Sequence, residues 1–551
     1  MKAANGLVRI LKAEGVPWVS TFPVSGINNA CGEEGVPNLM MRTERFAVAV
    51  ADGYSRVSNG KHFGVCSVQG GMNPAGLQEA YGALAQAYED SSPILCVAQG
   101  VGAAEAGMSH YEITRGFEGV TKWVSCISKA QRVPDFMRRA FTYLRTGRPG
   151  PVLLLLPSDL GEYNESEHPY RTVKGWKHPG DPRDVEAAVR ALLNAKKPLI
   201  YVGQGVFYAD ACNELLKFAE LVQAPVLTTL KAKSAFPEDH PLSIGVRGGP
   251  AIQYLQCSDL IFAIGTSLTP WRFSHEIPSG KVIIQSTTDE LDVNKCYTVD
   301  HAIIGDAKLV LNQLIAEVQK QAGSEGLKRK EEVIREIADL KKKLMEEYMP
   351  SLTSGDMPIN PYRVYWDLMH TIDRKNSTVT HDSGNTRDQT STIYEAAIPH
   401  GYVGWGNVST LGFGLGVAAG AKLAYPERTV INITGDAGVA YQLGNYEALV
   451  RNKIAITTIH INNSAFGGYG PGFWGPGHDP YVSKVTPSTT LNIAKSVEAM
   501  GEYGERVEKP DEIIPALKRA FKVNSSGRPA FLEIICCEYP VYGKWLGLGA
   551  R

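Results

Sequence analysis

Two apolar runs in the C-terminal third end in side chains rich in oxygen. Val430–Thr434 runs into Gly435-Asp436-Ala437-Gly438, and Ile454–Ile461 runs into Asn462-Asn463. The stretch between them, Tyr441–Arg451, has helical patterning, so the whole reads as a strand–helix–strand unit. Ligands of parallel α/β sheets bind beyond the carboxyl ends of the strands, and Asp436 and Asn463 fall there. A hard cation such as Mg²⁺ takes oxygen ligands in an octahedron and usually keeps phosphate oxygens among them. Asp436 offers a carboxylate and Asn463 an amide oxygen. The small residues Gly435, Ala437 and Gly438 let backbone N–H groups approach a diphosphate. Singly, an Asp at this place is an ordinary turn or cap residue. The pair, set at the ends of two strands of one unit, points to a metal–diphosphate site.

The elements that position this pair belong to a longer pattern. Phe63–Val68, Pro93–Ala98 and Pro151–Leu156 read as short, continuously apolar strands, as do Pro198–Gly203, Ala224–Thr229, Leu260–Gly265 and Val282–Gln285. Ser377–Thr380, Thr429–Thr434, Ala455–Ile461 and Ala530–Ile535 complete the series. Strands of that kind, separated by helical stretches, suit parallel sheets buried on both faces. A polar stretch, Gly161–Pro182, reads as a linker, and a charged helix near 327–348 reads as a solvated connector before the break Met349–Pro361. The expected fold is therefore α/β, with three doubly wound parallel-sheet domains at 1–175, 183–345 and 360–551.

Glycine is plentiful, 56 of 551 residues, and clusters at 401–420 and 467–477. Gly414-Leu-Gly416-Val-Ala-Ala419 superficially fits a dinucleotide fingerprint, but no apolar strand leads straight into it. Helix packing that needs small residues is the plainer reading. Lys+Arg 56 against Asp+Glu 57 gives a net charge of −1, which argues against a nucleic-acid or polybasic membrane partner. No apolar run is long enough to span a membrane. The charged N-terminus does not read as a signal peptide. Nine scattered cysteines lack metal spacing, and adjacent Cys536 and Cys537 read as packing residues. The expected compartment is the cytoplasm.

Gly435-Asp436-Ala437, closing on Asn462-Asn463 with Asn463 27 positions after the Asp, resembles the diphosphate–Mg²⁺ motif of thiamine-diphosphate enzymes. The resemblance is to the acetolactate synthase-like superfamily, which includes 2-oxo acid decarboxylases, benzoylformate decarboxylase, oxalyl-CoA decarboxylase and 2-hydroxyacyl-CoA lyases. Thr43-Glu44-Arg45-Phe46-Ala47 with Ala51-Asp52-Gly53-Tyr54-Ser55-Arg56 resembles the family's helix that opens with the cofactor-activating glutamate. Ala87–Pro93, Gly147–Val152 and Thr229–Pro241 are similar to further family signatures. The resemblance covers all three segments. It implies two thiamine-diphosphate-binding folds, pyrimidine-binding and diphosphate-binding, flanking a Rossmann-like central domain.

The resemblance also implies roles. Glu44 is the acid that activates the cofactor's ring; without it, a Glu at a helix start is a capping or dipole partner. Leu411, 25 residues before Asp436, supports the bent cofactor, and the Ser409 carbonyl accepts from its amino group. Gly384, Asn385 and Thr386 form a second diphosphate-contacting turn, where acetolactate synthases read Gly-Gln-His. Gly435, Asp436, Ala437, Gly438 and Asn463 bind the diphosphate, with Asp436, Asn463 and the Ala465 carbonyl as Mg²⁺ ligands. His110 and Tyr111 fall where the family places active-site polar residues, and His110 could shuttle protons near neutral pH. Tyr469, Phe473 and Trp474, in a glycine-rich stretch, are expected to form a substrate lid. Gln69–Asn73 departs from the family's Gly-Pro-Gly segment on the substrate side. FAD or ADP in the central domain is compatible with Gly203-Gln204-Gly205 and Gly265-Thr266-Ser267, and so is no ligand.

The expected reaction is thiamine-diphosphate- and Mg²⁺-dependent cleavage or formation of a C–C bond next to a carbonyl, as a 2-oxo acid decarboxylase or carboligase. A 2-hydroxyacyl-CoA lyase or oxalyl-CoA decarboxylase is the alternative, and a catalytically inactive homologue the remote one. The substrate is then a small 2-oxo acid or an acyl-CoA. Family architecture places Glu44 and the Asp436 site in different subunits, so a homodimer or homotetramer is expected.

Overall fold

The computed structural model describes residues 1–23, 26–108, 111–270, 275–323, 330–463 and 491–537. Three wholly parallel sheets follow one another along the chain. The first contains β1 (Val19–Thr21), β2 (Asn38–Met40), β3 (Gly64–Val68), β4 (Ile94–Gly100), β5 (Trp123–Cys126) and β6 (Val152–Pro157). The second contains β7 (Pro198–Val202), β8 (Val226–Thr228), β9 (Leu260–Ile264), β10 (Val282–Thr287) and β11 (His301–Ile304). The third contains β12 (Ser377–His381), β13 (Tyr402–Val403), β14 (Thr429–Gly435), β15 (Thr457–Asn462), β16 (Tyr503–Val507) and β17 (Ala530–Ile535).

The first sheet is ordered β2-β1-β3-β4-β6-β5 and the third β13-β12-β14-β15-β17-β16. Renumbered from their own first strands, these are the same order, so one fold occurs twice. The central sheet, β11-β10-β9-β7-β8, has the other common doubly wound order. Inner strands are buried along most of their length, and β6, Val152-Leu-Leu-Leu-Leu-Pro157, along all of it. That is why the inner strands read as unbroken apolar runs.

The flanking domains meet through two helices, Glu44–Val57 and Phe413–Ala424. A Cβ on Gly416 would lie 2.4 Å from the Ala49 Cβ, one on Gly420 2.3 Å from the Val50 carbonyl oxygen, and one on Gly53 2.5 Å from the Val417 Cα. The dinucleotide-like stretch Gly414–Ala419 thus lies inside a helix, and its glycines admit a second helix backbone rather than a nucleotide.

Two further expectations are corrected. The charged helix runs Lys330–Leu352, through Pro350, and is not merely solvated. Ile337 joins the central core, and Tyr348 and Leu352 join that of the third domain. The polar stretch after Gly161 also packs: Tyr163 is buried under Gly6, and Tyr170 donates to Glu14. Thr229–Pro241 clasps the central domain to both neighbours. Lys231 pairs with Asp90 at 3.6 Å, Ser234 Oγ donates to the Tyr402 carbonyl at 3.1 Å, and Glu238 Oε2 accepts from Ala396 N–H at 2.7 Å.

The helix contact sets a prediction with a definite sign. In an unconstrained helix, Gly→Ala stabilises by about 1 kcal/mol. At Gly420 the new methyl would meet fixed backbone at Val50 and Tyr54, and overpacking of this kind costs about 1–3 kcal/mol or more. Gly420→Ala is expected to lower the urea midpoint of unfolding; an unchanged or raised midpoint would contradict the contact.

Candidate active site

The switch point of the third sheet lies between β12 and β14, which are hydrogen-bonded neighbours whose connections leave in opposite directions. Asp436 follows β14, and Asn463 follows the adjacent β15. Asp436 accepts from Asn463 N–H at 3.3 Å and lies 3.0 Å from Nε2 of buried His460. Parallel pairing in register therefore brings the two sequence-predicted ligands side by side. Gly435 and Gly384 face open space, since a Cβ on either meets nothing within 4 Å. Gly438 does not: its Cβ would lie 2.3 Å from Thr434 Oγ1 and 2.7 Å from Asp382 Cγ.

Asp382, immediately after β12, organises the loop beside these strand ends. Its Oδ1 accepts from Ser383 N–H at 2.7 Å and Gly412 N–H at 3.0 Å. Burial pushes the carboxyl up to about 6, against those N–H donors and the charge of Arg45. Ser409 sits in the left-handed region at φ 64, and Gly412 follows at φ 79. Ser409 Oγ accepts from Arg387 Nη1 at 2.8 Å and contacts Ser383 Oγ. Arg387 is itself held by Asp388, to which Arg247 of the central domain also pairs, at 2.9 Å. His381 stacks on Trp405, its Nε2 accepts from the Trp405 backbone N–H at 3.2 Å, and its ring is held down to about 3 by burial.

The first domain faces this loop. Thr43 caps the helix at Glu44, its Oγ1 accepting from Phe46 N–H at 3.2 Å and from Asn445 Nδ2 at 3.2 Å. Arg45 donates to the Leu411 carbonyl and lies 4.8 Å above the Tyr441 ring. Glu44 is 7% exposed. Burial raises its carboxyl, opposed by its own backbone N–H, with Glu79 adding to the rise. Gly76 gives it room: a Cβ there would lie 2.6 Å from both Glu44 Oε1 and the Gln69 Cβ. The helix start and the Ser409–Gly412 loop thus meet through Arg45 and the Leu411 carbonyl, and Thr43 meets Asn445 beyond the helix that opens at Asp436.

A cavity of about 300 Å³ lies at the switch point of the central sheet. Gly203, Gly265 and Thr266 line it from β7 and β9, Arg148 from the first domain, and Asn407 from the loop just before Ser409.

Three family descriptions match in chain order. Thiamine pyrophosphate enzyme, N-terminal TPP binding domain, matches residues 1–121; the central domain matches 185–314; the C-terminal TPP binding domain matches 382–534. A probable acetolactate synthase large subunit from Methanocaldococcus jannaschii is 30% identical over 97% of this chain and 92% of its own. The chain belongs to the thiamine pyrophosphate enzymes. An acetolactate synthase large subunit from Haemophilus influenzae is 29% identical over 95% of this chain and 93% of its own, and a glyoxylate carboligase from Escherichia coli O157:H7 27% over 97% and 93%. This thiamine pyrophosphate enzyme is of acetolactate synthase-like type, with decarboxylase/carboligase chemistry.

The residues fit the cofactor. Open space over Gly384 and Gly435 forms a cradle that side chains would fill, and the buried Asn385 Nδ2 has no protein partner. Asp436 and Asn463 carry side-chain oxygens of the type a hard cation takes. Of the remaining sequence-predicted residues, Thr386 is buried with its hydroxyl donating to the Asp382 carbonyl at 3.1 Å. Tyr111 lies with its hydroxyl over Gly116 and is 37% exposed. His110, Ala465, Tyr469, Phe473 and Trp474 lie outside the described residues. Sequence reasoning missed Asp382, His460, Arg387 and Arg45. Asp382, at the end of an apolar strand just as Asp436 is, carried a legible signal.

Asp382 gives a pH test. Its folded-state value of about 6 lies above the ordinary Asp value of about 3.9. The stability it contributes is full below that ordinary value and is lost as pH rises through the folded one. Between pH ~4 and ~6.5, wild-type stability should fall by about 2 kcal/mol relative to Asp382→Asn. Urea unfolding across that range checks this; parallel pH profiles would contradict it.

Proposed function

We propose that the chain is a Mg²⁺- and thiamine-diphosphate-dependent carboligase or decarboxylase acting on small 2-oxo acids. What supports this most is the meeting of the Glu44 helix start and the Ser409–Gly412 loop beside the strand ends that carry Asp436 and Asn463. When bound, thiamine diphosphate supplies an electron sink for the bond next to a carbonyl. Asp436 and Asn463 hold Mg²⁺, and the backbone at Gly435–Gly438 and Gly384–Thr386 receives the diphosphate. Burial raises the Glu44 carboxyl, which favours the protonated form that would donate to the cofactor ring. Leu411 gives apolar support, and the Ser409 carbonyl an acceptor. The relatives' names, acetolactate synthase and glyoxylate carboligase, favour a 2-oxo acid over an acyl-CoA. The joint presence of Glu44, Asp436 and Asn463 argues against an inactive homologue.

The central cavity supports a nucleotide there, FAD or ADP, because two glycine turns and hydroxyls converge at a sheet switch point. Among the described residues no helix is long and apolar enough to cross a membrane, in keeping with a cytoplasmic site of action. The enzyme works as a homodimer or homotetramer. Chains with Glu44→Gln, co-refolded with chains with Asp436→Ala, regain activity if the two residues act across a chain boundary, and stay inactive if each chain completes its own site.

A screen for CO₂ release and product formation, with 2-oxo acids set against 2-hydroxyacyl- and oxalyl-CoA, tests the substrate class. Activity should appear with a 2-oxo acid; turnover of acyl-CoA alone would overturn the assignment. Glu44→Gln should lower kcat by about 10²–10⁴-fold with cofactor still bound, and Asp436→Ala should weaken Mg²⁺-dependent cofactor binding. Full activity in Glu44→Gln would contradict its role.

A further inference from the structure

The loop beneath the cofactor site has an anchor outside the two recognised motifs. Gln86 lies on the buried side of the helix Ala75–Glu89 and is 0% exposed. Its Oε1 accepts from Thr410 N–H at 3.2 Å, and its Nε2 donates to Asp90 Oδ2 at 2.5 Å. An ionised carboxylate only accepts, so Asp90 fixes which way round the amide sits, and the oxygen is left facing Thr410. Asp90 is fully buried. Burial pushes its carboxyl up, but Arg56 at 3.0 Å and Lys231 at 3.6 Å outweigh that and hold it below the usual carboxylate range.

Thr410 stands between the two loop residues that serve the cofactor. Ser409 before it is a non-glycine residue in the left-handed region, a conformation that persists only where its surroundings over-determine it. Asp382 and Arg387 restrain the loop from the third domain and Arg45 from the first. Gln86 adds a restraint at the residue joining Ser409 to Leu411. Lys231 belongs to the Thr229–Pro241 clasp and lines the central cavity. A continuous polar chain therefore runs Lys231–Asp90–Gln86–Thr410, from the central domain to the loop.

We propose that Gln86 is a positioning residue for the cofactor loop, oriented by Asp90, which sets Ser409 and Leu411 against the ring portion of thiamine diphosphate. This rests on the functional reading above. The loop serves the ring end of the cofactor, whereas Asp436 and Asn463 serve the diphosphate end, so the two ends should separate experimentally.

The test is calorimetric titration of purified wild type and Gln86→Met with thiamine diphosphate plus Mg²⁺, and separately with inorganic diphosphate plus Mg²⁺. The variant keeps the side-chain length but leaves Thr410 N–H without its acceptor. Its Kd for thiamine diphosphate should rise about tenfold while its Kd for inorganic diphosphate stays at the wild-type value. If both Kd values are unchanged, or both rise by the same factor, the proposal is overturned. Gln86→Ala carries the same test should Gln86→Met fail to fold. A wild type that binds inorganic diphosphate but not thiamine diphosphate overturns the functional reading itself.

Discussion

The architecture of this enzyme depends on one close contact, between the helices Glu44–Val57 and Phe413–Ala424. Gly53, Gly416 and Gly420 let backbone meet backbone there, at separations no Cβ would permit. The two helices begin at Glu44 on one and at the Gly412 turn on the other, both assigned above to the proposed cofactor site. Locking them in register therefore fixes where Glu44 of the first domain stands relative to the Ser409–Gly412 loop of the third. The glycines concentrated near 412–420 serve that register first; those at 384 and 435 serve the cradle.

Around this contact two ion pairs with buried carboxylates cross between domains: Arg247 of the central domain with Asp388 of the third, and Lys231 of the central domain with Asp90 of the first. Buried ion pairs of this kind add little net stability, because desolvation offsets much of their attraction. Their effect is directional. Each pair has one satisfactory partner arrangement, so a slipped domain would leave charges unpaired at a cost of several kcal/mol. Apolar packing holds each domain together and also joins the first to the third, in a shared core that includes Phe46, Leu84, Phe413 and Leu415; the ion pairs add a direction to that packing.

The sequence made some of this legible and hid the rest, for physical reasons. Strands buried on both faces, such as Val152–Pro157 and Thr429–Gly435, read directly from their apolar runs. Short or half-buried ones did not: Val19–Thr21, Asn38–Met40 and Tyr402–Val403 span three residues or fewer, too short for any periodicity. Asp436 and Asn463 were visible because both terminate recognisable strands of one unit. Gln86 was invisible because its role exists only once a helix of the first domain meets a loop more than 300 residues away. The charged helix Lys330–Leu352 misled because its apolar positions divide between two different cores.

Where the cofactor sits decides the roles of Glu44 and Asp436 most directly. A crystal structure with thiamine diphosphate and Mg²⁺ bound should place the metal about 2.0–2.1 Å from an Asp436 carboxylate oxygen. The same structure should show the Glu44 carboxyl within about 2.6–3.2 Å of a nitrogen of the cofactor's ring, with the diphosphate over Gly435–Gly438. A cofactor bound elsewhere, or a Glu44 carboxyl that reaches no atom of its ring, would contradict the account.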